Sequence, residues 1–108
     1  MEHRCSPRSP IVLDVGVTSR GAGSAGGHTR DVGLGGMYVE AGPRRPPLNA
    51  PVRVTVRPVA RREIPGFEVG GMVVHHAGSG FGLMFTEVQG RTRELLRALL
   101  RPSRRRRA

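Results

Sequence analysis

The sequence predicts a mainly β protein: about six short antiparallel strands that close into a barrel or sandwich, with one helix at the C-terminus. Three observations predict it. Strand-like alternation recurs in short runs, most cleanly in "VRVTVRPV", where Val52, Val54 and Val56 fall on one face and Arg53, Thr55 and Arg57 on the other. Sixteen glycines and nine prolines punctuate those runs, as turns require. Only "RTRELLRALLR" carries apolar residues (Leu95, Leu96, Leu99 and Leu100) at helical spacing. At 108 residues the chain is one domain at most, and a chain that short buries a modest core.

Each element has its own justification. "IVLDVGV" alternates, with Ile11, Leu13, Val15 and Val17 on one face, so it predicts a half-buried strand. "SRGAGSAGGHT" reads as a glycine-rich connection, the loose tip of a hairpin. The residues leading into "DVGLGG" make a strand, and "MYVEA" makes another, since Tyr38 and Val39 favour extended backbone. "GPRRPPLNAP" holds four prolines and is a loop. "ARREIPG" is a turn. "FEVGGMVVHH" is a strand with a bulge or bend at Gly70 and Gly71. "AGSG" turns into the strand "FGLMF", where Phe81 and Phe85 share a face. In the terminal helix Thr92 is the candidate cap, with Glu94 in the first turn and Arg101 in the last; Pro102 ends it. Six short antiparallel strands hide their edges best by closing.

The formal charge is +10, and all 18 basic residues are arginine. GC-rich coding would produce such a bias, and so would a partner rich in phosphate or carboxylate, which guanidinium forks bind bidentately. No apolar run approaches the length of a membrane span, and "MEHRCSPR" has no signal-type apolar core. The lone Cys5 has no internal disulfide partner. These features predict a cytoplasmic, non-membrane protein.

Catalysis finds little support. The carboxylates are scattered, and the serines lack a nucleophile-elbow setting. His75 and His76 are neighbours on a strand, so they should face opposite sides and make a poor metal site. "GLGG" precedes a strand and lacks the lysine of a phosphate-binding loop. Neither an enzyme nor a metal protein is expected.

Two stretches remain. "RCSPR" puts Arg4 and Arg8 in a Pro- and Ser-containing lead-in, and "DVGLGG" puts Asp31 before Gly33, Gly35 and Gly36. Arginine forks match phosphate oxygens and the O6/N7 edge of guanine, and the flat guanidinium stacks on purines. A carboxylate accepts hydrogen bonds from guanine N–H donors. The glycines allow close backbone approach, or positive φ in a tight turn. Spacing alone leaves open the plainer reading: solvated tail arginines and an ordinary turn.

The order of these features resembles a PilZ domain: Arg-x-x-x-Arg, a strand, Asp31-x-x-x-x-Gly36, alternating strands, "GFGLMF", then a Leu-rich helix, together spanning roughly residues 4 to 101. The resemblance implies a six-stranded antiparallel PilZ-type β-barrel with a C-terminal α-helix, residues 10–101. It also implies a flexible N-terminal ligand-wrapping segment, 1–9; the arginine run after Pro102 reads by itself as a disordered basic tail, 102–108. It further implies a receptor for the bacterial second messenger cyclic di-GMP that signals to an effector protein. Arg4 and Arg8 would grip guanine and phosphate, Asp31 a guanine edge, and Gly36 would make the close-packed turn. Gly33 stands where the family has serine. A lost neutral hydrogen bond costs about 0.5–1.5 kcal/mol. An adaptor that binds protein without nucleotide is the alternative. A basic nucleic-acid-binding barrel is a second alternative, disfavoured by the few aromatics available for stacking.

Overall fold

The computed structural model describes residues 8–21 and 23–101. Six strands are present: β1 (Asp14–Ser19), β2 (Gly23–Val32), β3 (Gly36–Glu40), β4 (Pro51–Arg57), β5 (Phe67–Ala77) and β6 (Gly80–Glu87). One helix follows, α1 (Gly90–Leu100). Every pairing is antiparallel. The strands close in the order β1-β2-β3-β6-β5-β4, and β4 pairs with β1. Closure satisfies the backbone groups that an open sheet would leave at its edges.

The alternation predicted for "VRVTVRPV" is realised in β4, where Val54 and Val56 are fully buried and Val52 nearly so. Val15 and Val17 are buried from β1 and Leu13 from the segment just before it, and Phe81, Leu83 and Phe85 from β6. Leu96 and Leu99 of α1 belong to the same buried cluster, so the helix adds its apolar face to the barrel core. Burial of two leucines is worth roughly 1.5–3 kcal/mol each.

Four local expectations change. The glycine-rich stretch is not a loose tip. The turn contracts to the residues between β1 and β2, and Gly23–Val32 forms a ten-residue strand. Glycine is needed inside it, because a Cβ on Gly27 would collide with the Glu40 carbonyl oxygen of β3. The first ladder begins at Asp14 rather than Ile11. Ile11 and Leu13 bond instead to the buried Thr29 side chain: the Leu13 N–H donates to Thr29 Oγ1 at 2.8 Å, and Thr29 Oγ1 donates to the Ile11 carbonyl at 2.6 Å. The helix starts earlier than Thr92. Gln89 is its N-cap, with no side-chain cap bond, and no acidic residue lies in the first turn. Glu94 is therefore interior, Arg97 is the basic residue of the last turn and Arg101 is the C-cap. Arg101 is extended (ψ 132), as a residue before proline prefers.

The bulge expected at Gly70 and Gly71 is present, and β5 has a second between Val73 and His75. Beyond it His75 and His76 are both exposed. His75 lies beside the Tyr38 ring, with centroids 6.1 Å apart. His76 Nε2 is 2.7 Å from the Pro46 carbonyl. A carbonyl only accepts, so that nitrogen carries the proton.

Candidate functional site

The two stretches singled out in the sequence meet at one end of β2. Backbone pairing brings them together. The Ser9 N–H donates to the Val32 carbonyl at 2.8 Å, and the Val32 N–H donates back to the Ser9 carbonyl at 2.9 Å. Thr29 fixes the next part of the lead-in, because its own N–H also donates to the Leu13 carbonyl at 2.9 Å. These anchors deliver Arg8 to Asp31. Arg8 Nη1 lies 2.5 Å from Asp31 Oδ1, an ion pair between half-exposed side chains.

A bulge in β2 makes room for this. The register against β3 shifts between Thr29 and Asp31. Thr29 and Val32 are buried, while Arg30 is exposed and Asp31 half-exposed. Strict alternation would put Arg30 and Asp31 on opposite faces. The extra residue keeps both side chains out of the core, the re-aiming for which bulges are used.

Asp31 pairs in register with Tyr38 of β3, and Arg30 caps the Tyr38 ring with its Cζ 4.3 Å from the ring centroid. Arg30 Nε also bonds Glu40 Oε2 at 3.1 Å, and Ser79 Oγ donates to Glu40 Oε1 at 2.6 Å. The Ser79 hydroxyl first, then Arg30, holds the Glu40 carboxyl below its ordinary pKa. The Tyr38 hydroxyl donates to the Ala77 carbonyl. Alongside the Arg8–Asp31 pair there is thus a guanidinium–phenol cation–π contact.

The glycines of "DVGLGG" serve the turn between β2 and β3. The Gly33 N–H donates to the Gly36 carbonyl at 2.8 Å, and the Phe85 N–H donates to the Gly35 carbonyl at 2.8 Å. None of Gly33, Gly35 and Gly36 has positive φ, so that expectation does not hold. Close approach is the reason at Gly36, where a Cβ would drive into the Leu83 carbonyl of β6. Gly33 is buried. Arg4 lies outside the described residues. Arg30 and Tyr38 were missed in the sequence, where Tyr38 reads only as a strand residue. No local pattern marks the bulge that sets Arg30 beside Asp31.

The PilZ domain family matches residues 2–101. The chain belongs to the PilZ family. PilZ domains are receptor and adaptor domains rather than enzymes. Solved structures with the same fold include the PilZ domain of CeSA from a cellulose synthesizing bacterium. It is 17% identical with a TM-score of 0.67, over 87% of this chain and 95% of that one. Another is the Bacillus subtilis inhibitor of motility (MotI/DgrA), 17% identical with a TM-score of 0.72 over 93% of this chain. This PilZ chain spans half the length of that inhibitor. No curated protein matches by sequence. Among the described residues of this PilZ domain, no helix is long and apolar enough to cross a membrane.

Proposed function

We propose that this PilZ domain is a receptor for cyclic di-GMP. The observation that supports the reading above all is the Arg8–Asp31 contact, which joins two motifs 23 residues apart in the chain. In the proposed site the ion pair is a pre-organised half-clamp. Only one Arg8 nitrogen is engaged by Asp31, and a guanidinium has five N–H donors in a rigid fork. The remaining donors suit phosphate oxygens or the guanine O6/N7 edge. Asp31 Oδ2 accepts from guanine N–H groups. Arg30, over the Tyr38 ring, presents a second cationic group beside the base. Arg4 supplies the other side of the clamp. Gly33 lies in the turn beside the clamp, and Gly36 seats that turn against Leu83 of β6. Binding draws the segment before Ser9 over the barrel, and an effector protein reads the changed surface.

One observation favours the adaptor reading. Gly33 has no hydroxyl, and its N–H is already committed to Gly36. An adaptor would keep the barrel and bind its partner without nucleotide. Calorimetric titration separates the two. The receptor reading predicts saturable heat with cyclic di-GMP that Arg8→Ala largely abolishes. Absence of heat from folded protein at micromolar concentration supports the adaptor.

A further inference from the structure

The excess positive charge is segregated. Residues 90–108 hold eight arginines against Glu94 alone, a net +7 of the chain's +10. Residues 8–89 are closer to balance, with nine arginines against six carboxylates, a net +3. Asp14, Asp31, Glu40, Glu63, Glu68 and Glu87 each pair with an arginine of the barrel or its lead-in. On α1 the pattern reverses. Arg93, Arg97 and Arg101 recur every four residues along one stripe, all exposed, and none makes an ion pair among the described residues. The apolar side of the helix is turned inward through Leu96 and Leu99, so the stripe faces solvent. Arg104–Arg107 follow in the sequence.

We propose that the solvent face of α1, through Arg93, Arg97 and Arg101, is an electrostatic docking surface for an anionic lipid bilayer. Uncompensated guanidinium groups in one stripe meet the negative potential of an anionic leaflet, each worth on the order of 1 kcal/mol near the surface. With its leucines buried in the barrel, the helix docks by charge rather than by insertion. The neighbouring apolar surface is aliphatic. Arg61 Nη2 reaches the Ala98 carbonyl of α1 at 3.5 Å, and two residues away Val59 is 65% exposed. Val12, 64% exposed, lies at the same end of the β1–β4 pair. Nucleic acid fits less well. Base recognition on single strands uses exposed aromatics, whereas Tyr38, Phe81 and Phe85 are buried, Phe67 is half-buried against the core, and Arg30 already covers Tyr38. This surface does not depend on the nucleotide site.

The test is co-sedimentation of the full chain with phosphatidylglycerol-containing vesicles and with pure phosphatidylcholine vesicles. Binding to the anionic vesicles alone, weakening steeply with salt, is expected. The triple variant Arg93→Gln/Arg97→Gln/Arg101→Gln should lower vesicle affinity on the order of a hundredfold and leave the thermal melt unchanged. Arg53→Gln on the barrel wall should leave vesicle binding as it was. Three results would overturn the proposal: equal binding to both vesicle types, an unaffected triple variant, or an equal loss with Arg53→Gln. Tighter binding to random-sequence duplex DNA than to anionic vesicles would assign the surface to nucleic acid instead.

Discussion

At the scale of single residues, each site position has a distinct physical task, so substitutions should separate. In the proposed site Arg8 would supply charge-assisted bonds of about 1.5–3 kcal/mol. Arg8→Ala should therefore weaken cyclic di-GMP roughly 10- to 150-fold by calorimetry. Its stability should barely change, because a half-exposed ion pair is worth about 0–1 kcal/mol. Gly36 answers to packing rather than to ligand. A side chain there meets the Leu83 backbone oxygen, which cannot move without disturbing the β3–β6 ladder. Gly36→Ala should cost about 1–3 kcal/mol and lower the melting temperature by roughly 4–8 °C for each kcal/mol. Asp31 and Gly36 belong to one motif, yet one acts by chemistry and the other by space. Glu40 adds a pH signature. Its carboxyl is held below its usual pKa of 4.5 in the folded state, so its contribution is full above that value and is lost as pH falls through the lower, folded value. Glu40→Gln should flatten that part of the acid limb of a stability–pH curve.

At the scale of elements, the helix cap and the Thr29 latch are the informative cases. Gln89 has extended backbone at the N-cap but makes no side-chain cap bond. Gln89→Asp should therefore raise stability by about 1 kcal/mol, seen in the denaturation midpoint. Thr29 joins the lead-in to β2 through three hydrogen bonds, two of them from its hydroxyl. Thr29→Val keeps the shape but strands the Leu13 N–H and the Ile11 carbonyl, at about 1–3 kcal/mol. Where an element's pattern is periodic, as in β4 or α1, it was legible, because inward residues repeat at the period of the backbone. β2 was misread, because its glycines mark a close approach between strands and not a turn. The bulge at Arg30 was illegible, since it arises from register with β3, a partner that local sequence does not specify. Thr92 was mistaken for the cap because hydroxyl chemistry was weighed above the actual first turn, which starts at Gly90.

At the scale of the whole molecule, the barrel is a closed platform with two charged regions of interest. At one end of β2 a lead-in arginine is latched to an aspartate. On the helix face, arginines stand without carboxylates. Alternation and turn chemistry made about six antiparallel strands legible but left barrel and sandwich open; the family resemblance implied the closed ring. The family pattern made the meeting of Arg8 and Asp31 legible too, although spacing alone did not. Nothing local could reveal that Arg30 and Tyr38 stack beside them. If the Arg8–Asp31 pair is half of a nucleotide clamp, calorimetric titration of the folded chain with cyclic di-GMP, run alongside Arg8→Ala and Gly33→Ser, should show saturable binding that is largely lost in Arg8→Ala. Gly33→Ser, which restores the family's hydroxyl, should tighten binding roughly two- to twelvefold. No heat from folded wild-type protein, or equal heat from Arg8→Ala, would contradict the clamp.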